Sequence, residues 1–186
     1  MVLLTRIYTR GGDKGKTSLG TGKRVLKSSP RIAAIGDVDE ANASIGIARL
    51  HAAGDIDLLL FRIQNDLFDI GADLCIPEDK ENKVRLRLHS HQVAFLEKSI
   101  DLYNKSLPPL NSFVLPGGTS LSAHLHQART IVRRAERTIC ILRDREPVNE
   151  IIIHYINRLS DFLFVLARYD NHQKEGDILW VPGLNR

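Results

Sequence analysis

The chain has 186 residues, of which 43% are hydrophobic and 26% charged, with two cysteines. That is the make-up of a folded chain of domain size, long enough to bury a core without disulfides, and it excludes a wholly disordered protein. The net charge of +4 hides an uneven split: residues 1–35 carry eight Lys or Arg and one acid, a net +7, which leaves −3 on the rest.

Residues 1–28 show no helical period. Gly11, Gly12, Gly15, Gly20 and Gly22 crowd into twelve positions with Lys, Thr and Ser between them, which disfavours a helix and leaves backbone amides accessible. From Ser29-Pro30, an N-cap followed by a proline suited to the first helical position, the pattern turns helical. Ile35, Val38, Asn42, Ile45 and Ala48 recur at helical spacing, and Gly54 ends the first helix. Leu59, Ile63, Leu67, Ile70 and Leu74 define a second helix that stops before Pro77. The charged segment 77–88 reads as a loop. Ser90 is placed to cap a third helix carrying Val93, Leu96, Ile100 and Tyr103.

Pro108-Pro109 closes that region, and an extended link, Asn111–Pro116, runs into Gly117-Gly118. Leu121, Leu125, Ala128, Val132, Ala135, Ile139 and Leu142 then form a heptad, the longest helix, broken by Pro147. Ile152, Ile156, Leu159, Leu163, Leu166 and Tyr169 mark a fifth. Residues from 171 onward form a tail containing Trp180. The pattern predicts an all-α fold, an antiparallel five-helix bundle with up-and-down packing, in one domain: loop 1–28, bundle 29–172, tail 173–186. No useful strand is expected after residue 10.

Cys75 and Cys140 sit in apolar helical patterns and read as buried thiols in a reducing compartment. The opening residues lack the order of a secretory signal, and no apolar run reaches the roughly 18 residues of a membrane span. The expectation is a soluble cytoplasmic protein.

A +7 arm suits nucleic acid, an anionic membrane or a polyphosphate. Gly15-Lys16-Thr17 resembles the end of a P-loop, but a Walker A motif has glycine where Arg10 stands, and a helix should follow at once. The glycines nonetheless free N–H groups for an anion, with Lys and hydroxyl side chains beside them. Tyr8 is the arm's one aromatic, so no stacking platform for bases exists there. On the fourth helix Arg129, Arg133, Glu136 and Arg137 form a polar stripe beside the buried one, with Arg134 adjacent. Such arginines suit phosphate, or a self-paired solvated face. Asn157 neighbours core residue Ile156, which suits an inward-facing amide that either satisfies a neighbour or binds a base or ribose. Asp37, Asp39 and Glu40 either answer the helix dipole or pair with arginines of another helix. His89, His91, His124 and His126 lack the spacing of a zinc site.

Five segments, in order, resemble one family: Tyr8–Thr17, Gly36–Glu40, Phe113–Gly118, Ala128–Arg137 and Asn157–Asp161. The chain is similar to the PduO-type ATP:cob(I)alamin adenosyltransferases, which transfer the 5′-deoxyadenosyl group of ATP to Co(I) of cob(I)alamin, giving adenosylcobalamin and triphosphate. The resemblance implies ATP as co-substrate, cob(II)alamin and cob(I)alamin as substrate, and Mg²⁺. It implies a homotrimer in which the loop of one subunit and the fourth and fifth helices of its neighbour enclose each site. It assigns ATP contacts to Thr9, Arg10, Gly11, Gly12, Lys14, Thr17, Ser18, Lys27, Arg133, Arg134, Glu136, Arg137 and Asn157, with Glu136 reaching a metal through water. It makes Asp39 and Arg129 an intersubunit salt bridge near the corrin, Phe113 the residue that excludes the lower axial ligand, and Arg133 a charge stabiliser. A cobalamin reductase and an adenosylcobalamin-dependent enzyme are the partner classes it allows. The alternatives are a non-catalytic ATP- or cobalamin-binding regulatory or chaperone bundle, and a basic-arm nucleic-acid binder.

Overall fold

The structure, a computed structural model, describes residues 7–78 and 85–186. Among them are five helices: α1 (Pro30–Arg49), α2 (Gly54–Cys75), α3 (Ser90–Asn104), α4 (Ser120–Arg143) and α5 (Glu150–His172). The expected apolar spacings become the core. All seven heptad positions of α4 are buried, as are Ile152, Ile156, Leu159, Leu163 and Leu166 of α5. α1 packs between α2 and α4, α5 packs on the other side of α4, and α3 covers α5.

Polar pairs fix the order of the helices. Asn42 and Gln64 exchange side-chain-to-carbonyl hydrogen bonds of 3.1 Å, locking α1 to α2. The buried Asp66 of α2 accepts from Gln92 of α3 at 2.7 Å and from the Tyr155 hydroxyl of α5 at 2.9 Å. This ties α2 to α3 and α5, and burial beside that carboxylate pushes the Tyr155 phenol well up. At the far end, buried Arg31 donates to Leu74 O (2.7 Å), Pro147 O (3.3 Å) and Glu146 Oε2 (2.9 Å), joining three helix ends.

Three local expectations change. Helix α1 starts at Pro30 after Ser29, yet the Ser29 hydroxyl is buried without a partner and caps nothing. The cap of α3 is His89 rather than Ser90, because Gln92 Oε1 accepts the His89 N–H at 3.0 Å. Both cysteines are free but only partly buried, and Cys75 Sγ accepts the Gly20 N–H.

The N-terminal arm is not plain loop. β1 (Lys16–Ser18) and β2 (Arg24–Leu26) form a two-stranded antiparallel hairpin with Thr17 opposite Val25. Three-residue strands leave too little alternation to be read from the sequence. The turn closes through Gly22 N–H to Leu19 O (2.9 Å), with Gly22 at φ 82°. Its tip docks on the end of α2: Leu19 is buried, and Gly20 N–H reaches Cys75 O at 3.0 Å. A Cβ on Gly20 would stand 2.8 Å from Ile76 Cγ1, so glycine lets the two backbones meet.

Candidate active site

The arm's geometry suits an anion. Asp13 N–H to Arg10 O (3.3 Å) and Gly15 N–H to Gly12 O (3.1 Å) close two successive turns, with Arg10 in the left-handed region at φ 59°. A non-glycine residue held there costs of order 1 kcal/mol, a strain typical of ligand loops. The N–H groups of Gly11, Gly12 and Lys14 have no acceptor among the described residues. A Cβ on Gly12 would lie 3.1 Å from Lys27 Nζ, so Lys27 bends back over the glycine turns. Thr9, Arg10, Gly11, Lys14, Ser18 and Lys27 are exposed, and Gly12 and Thr17 half-buried. Arg24, which sequence reading missed, staples the loop by donating to Gly11 O, Lys16 O (3.2 Å) and Ser18 Oγ (3.2 Å).

The second half lies along α4 and α5. These helices run antiparallel, and their facing residues form rungs one heptad apart, about 10 Å. At one rung Asn157 Nδ2 donates to Glu136 Oε1 at 2.9 Å. Asn157 is exposed, contrary to the expectation that it faces inward, because its position looks into a cleft beside α3 rather than into the core. That cleft, about 510 Å³, is lined by Val93, Glu97, Glu136, Ile153, Asn157 and Arg158, among others. At the other rung the Arg129 guanidinium lies 5.9 Å from the Phe164 ring. This rung borders a second cleft of about 530 Å³, walled by Leu110, Ser112, Phe113, Val114, Arg129 and Phe164. Phe113 stands 77% exposed. Phe164 was not singled out from the sequence, although it lies seven residues beyond Asn157 on the same helical face.

The arginines of the stripe differ in how far they are already engaged. Arg133 and Arg137 are exposed, and Arg137 Nη1 donates to Arg133 O at 3.1 Å. Arg134 is paired within the chain, to Glu40 and, at 3.7 Å, to Asp37. The α1 acids therefore pair with α4 rather than answering a helix dipole; they sit two turns past the start of α1. Asp39, the third, is exposed and has no partner among the described residues. Arg129 Nε is buried without a partner, and burial, then the nearby Arg133 charge, lowers its pKa. Asp39 and Arg129 do not meet within one chain. Nor does any hydrogen bond or ion pair join residues 7–28 to α4 or α5 among the described residues. The histidines go elsewhere: His51 stacks on His124 (5.0 Å), His89 on His91 (5.9 Å), and His126 is buried against Phe164.

A glycine loop with exposed N–H groups, an arginine stripe and an apolar cleft on a helical bundle are the features expected of a nucleotide-using transferase of the bundle class. The chain belongs to the cobalamin adenosyltransferase family, whose model matches residues 7–170. It is 50% identical over 190 residues to the corrinoid adenosyltransferase of Mycobacterium tuberculosis, covering 100% of this chain and 97% of that one. It is 47% identical over 180 residues to the cobalamin adenosyltransferase of Cupriavidus metallidurans, covering 95% of each. Among solved structures, a variant of the PduO-type ATP:corrinoid adenosyltransferase of Lactobacillus reuteri, complexed with cobalamin and ATP, superposes with a TM-score of 0.90 at 39% identity. That likeness covers 95% of this chain and 97% of that chain.

Proposed function

We propose how this chain, a corrinoid adenosyltransferase, performs its transfer. Co(I) of cob(I)alamin attacks the 5′ carbon of ATP. The new cobalt–carbon bond forms as the C5′–O bond breaks, and triphosphate leaves with the bonding pair. Co(I) is itself the nucleophile, so the protein's work is positioning and charge stabilisation. The arm receives the triphosphate: Gly11, Gly12 and Lys14 offer N–H groups, Thr9, Thr17 and Ser18 hydroxyls, and Arg10 and Lys27 charge. Arg133 and Arg137 meet the same charge from α4, while Glu136 and Asn157 hold the nucleoside end. Arg134, already paired with Glu40 and Asp37, frames this surface.

The apolar cleft takes the corrin, with Phe113 on the side where the lower axial base would bind; removing that base makes Co(II) easier to reduce. No group of three or more potential metal ligands gathers among the described residues. The Glu136 carboxylate beside the stripe would hold, through water, a Mg²⁺ carried in on the triphosphate. When bound, Mg²⁺ would offset part of the leaving group's charge.

The observation that carries the assembly is the separation within one chain: among the described residues no hydrogen bond or ion pair joins the arm to the arginine stripe, Asp39 has no hydrogen-bond or ion-pair partner, and Arg129 Nε is buried without one. A homotrimer in which the arm and Asp39 of one subunit reach α4 of the next completes both. We read residues 1–186 as one adenosyltransferase domain, and we place it in the cytoplasm, in keeping with its two free thiols.

Subunit complementation tests this. Lys27→Ala chains and Arg133→Ala chains are each assayed alone and after mixed refolding. Sites shared between subunits regain about a quarter of wild-type turnover in a one-to-one mixture, because random assembly pairs an intact arm with an intact stripe that often. Sites contained in one chain regain none.

A further inference from the structure

The loop that carries Phe113 is held by the C-terminal tail. Val114 pairs with Leu179 in an antiparallel bridge. Leu115 N–H donates to Ile178 O at 2.8 Å, and Trp180 N–H donates to Phe113 O at 2.8 Å. Ser112 Oγ donates to Trp180 O at 2.6 Å, and the Trp180 and Phe113 rings lie 6.0 Å apart.

Two residues of the last turns of α5 anchor both partners of this pairing. Arg168 donates to Pro108 O (2.9 Å), where the loop begins, and to Asp177 Oδ2 (2.8 Å), just before the paired part of the tail. That ion pair is buried, with side chains 6% and 11% exposed, so it is screened little and sets a firm base. Asn171 accepts from Thr119 N–H (3.1 Å) and donates to Gly117 O (3.1 Å), where the loop ends, and to Asp177 Oδ1 (3.4 Å). The loop is thus fixed at both ends by α5. Its middle, with the exposed Phe113 ring, is hydrogen-bonded to residues 178–180 and, among the described residues, to no other segment.

We propose that the tail is a strut and Trp180 a positioning residue: strand pairing and ring contact hold Phe113 over the apolar cleft so that it excludes the cobalt's lower axial base. This rests on the reading of Phe113 given above. Without the strut, Ser112, Phe113 and Leu115 lose the hydrogen bonds that tie them to the tail, and the Phe113 wall loses its set position. Displacements of this kind cost up to about a hundredfold in rate.

The test compares two substrates. Cobalamin carries a lower axial base; cobinamide, which has the same corrin, does not. Full-length protein is compared with Trp180→Ala and with a chain ending at Asp177, which keeps the Arg168 anchor and removes only exposed residues. Phe113→Ala runs in parallel. Both tail variants are expected to lose about tenfold or more in turnover with cob(II)alamin under reduction, to stay near wild type with cobinamide, and to keep the wild-type KM for ATP. The paramagnetic resonance signal of base-free Co(II) in the ATP complex is expected to shrink in the same variants.

Equal losses with both corrinoids would overturn the strut, since they would make the tail a corrin contact or a general support. So would a wild-type cobalamin-to-cobinamide ratio in both tail variants while Phe113→Ala shows the selective loss. If Phe113→Ala itself shows no selective loss, the reading of Phe113 fails, and the strut with it.

Discussion

Arg133→Ala separates the chemistry of the stripe from its role in the fold. The Arg133 side chain is exposed and makes no hydrogen bond or ion pair among the described residues; only its carbonyl is engaged, by Arg137. Truncation therefore leaves no buried group orphaned, and the stability change is expected to stay within about 0.5 kcal/mol. For a chain of this length that moves the melting temperature by no more than about 2 °C. In the reaction, by contrast, a charged donor aimed at the leaving triphosphate is worth roughly 2–4 kcal/mol of transition-state stabilisation. That corresponds to a fall in kcat of about 30- to 1,000-fold. Arg133→Lys restores charge but not the planar fork, and is expected to recover only part of the rate. The assay follows adenosylcobalamin by its absorbance alongside a thermal melt of each variant. A wild-type rate in Arg133→Ala refutes the assigned role. A collapse of the melting temperature matching the rate loss would make Arg133 a structural residue and refute the argument from its missing partners.

Asp39→Asn is expected to raise the apparent KM for cobalamin several-fold while the KM for ATP stays unchanged, since in the proposed assembly the carboxylate of one subunit answers Arg129 of the next beside the apolar cleft; equal shifts in both would remove it from that cleft. Burial, reinforced by the Arg129 charge and opposed by Asp177, lowers the pKa of His126. The unfolded chain therefore takes up a proton near the ordinary value of about 6.5 that the native state refuses. Stability is full above that pH and falls below it by up to about 1.4 kcal/mol per pH unit. His126→Leu is expected to flatten that fall in denaturant titrations across pH 5–7, and an unchanged slope would contradict the burial argument. Gly118 sits at φ 98°, and a Cβ there would collide with the Asn171 amide that clamps the loop. Gly118→Ala is accordingly expected to cost at least about 1–3 kcal/mol in a denaturant melt, and a neutral result would mean that Asn171 does not hold the loop in place.

The bundle was legible because its helices bury long periodic stripes. The α4 heptad from Leu121 to Leu142 is buried at every position, and a pattern that long admits few other folds. The candidate site was legible as a set of residue types but not in its joints. Arg133 and Arg137 could be placed on an outer face by helical angle alone, whereas the direction of Asn157 could not. Being next to a core residue in sequence does not settle a direction when the facing helix leaves a cleft. Arg134 read as one more phosphate-binding arginine until α1 brought Glu40 and Asp37 to it, a contact over about a hundred residues that no local pattern records. The hairpin at Lys16–Leu26 escaped for the opposite reason: its strands are three residues each, and what fixes them is the Arg24 staple, the burial of Leu19 and the docking of Gly20 on Cys75. The pairing of the tail with the Phe113 loop likewise rests on backbone groups, which carry no sequence signature.

The central claim is the transfer itself. Purified protein is incubated with ATP, Mg²⁺ and chemically reduced cobalamin under anaerobic conditions, and both products are quantified. Adenosylcobalamin and inorganic triphosphate are expected to accumulate in equal amounts, with ATP consumed one for one. Binding of ATP and cobalamin without adenosylcobalamin, or release of ADP and phosphate in its place, would contradict the account.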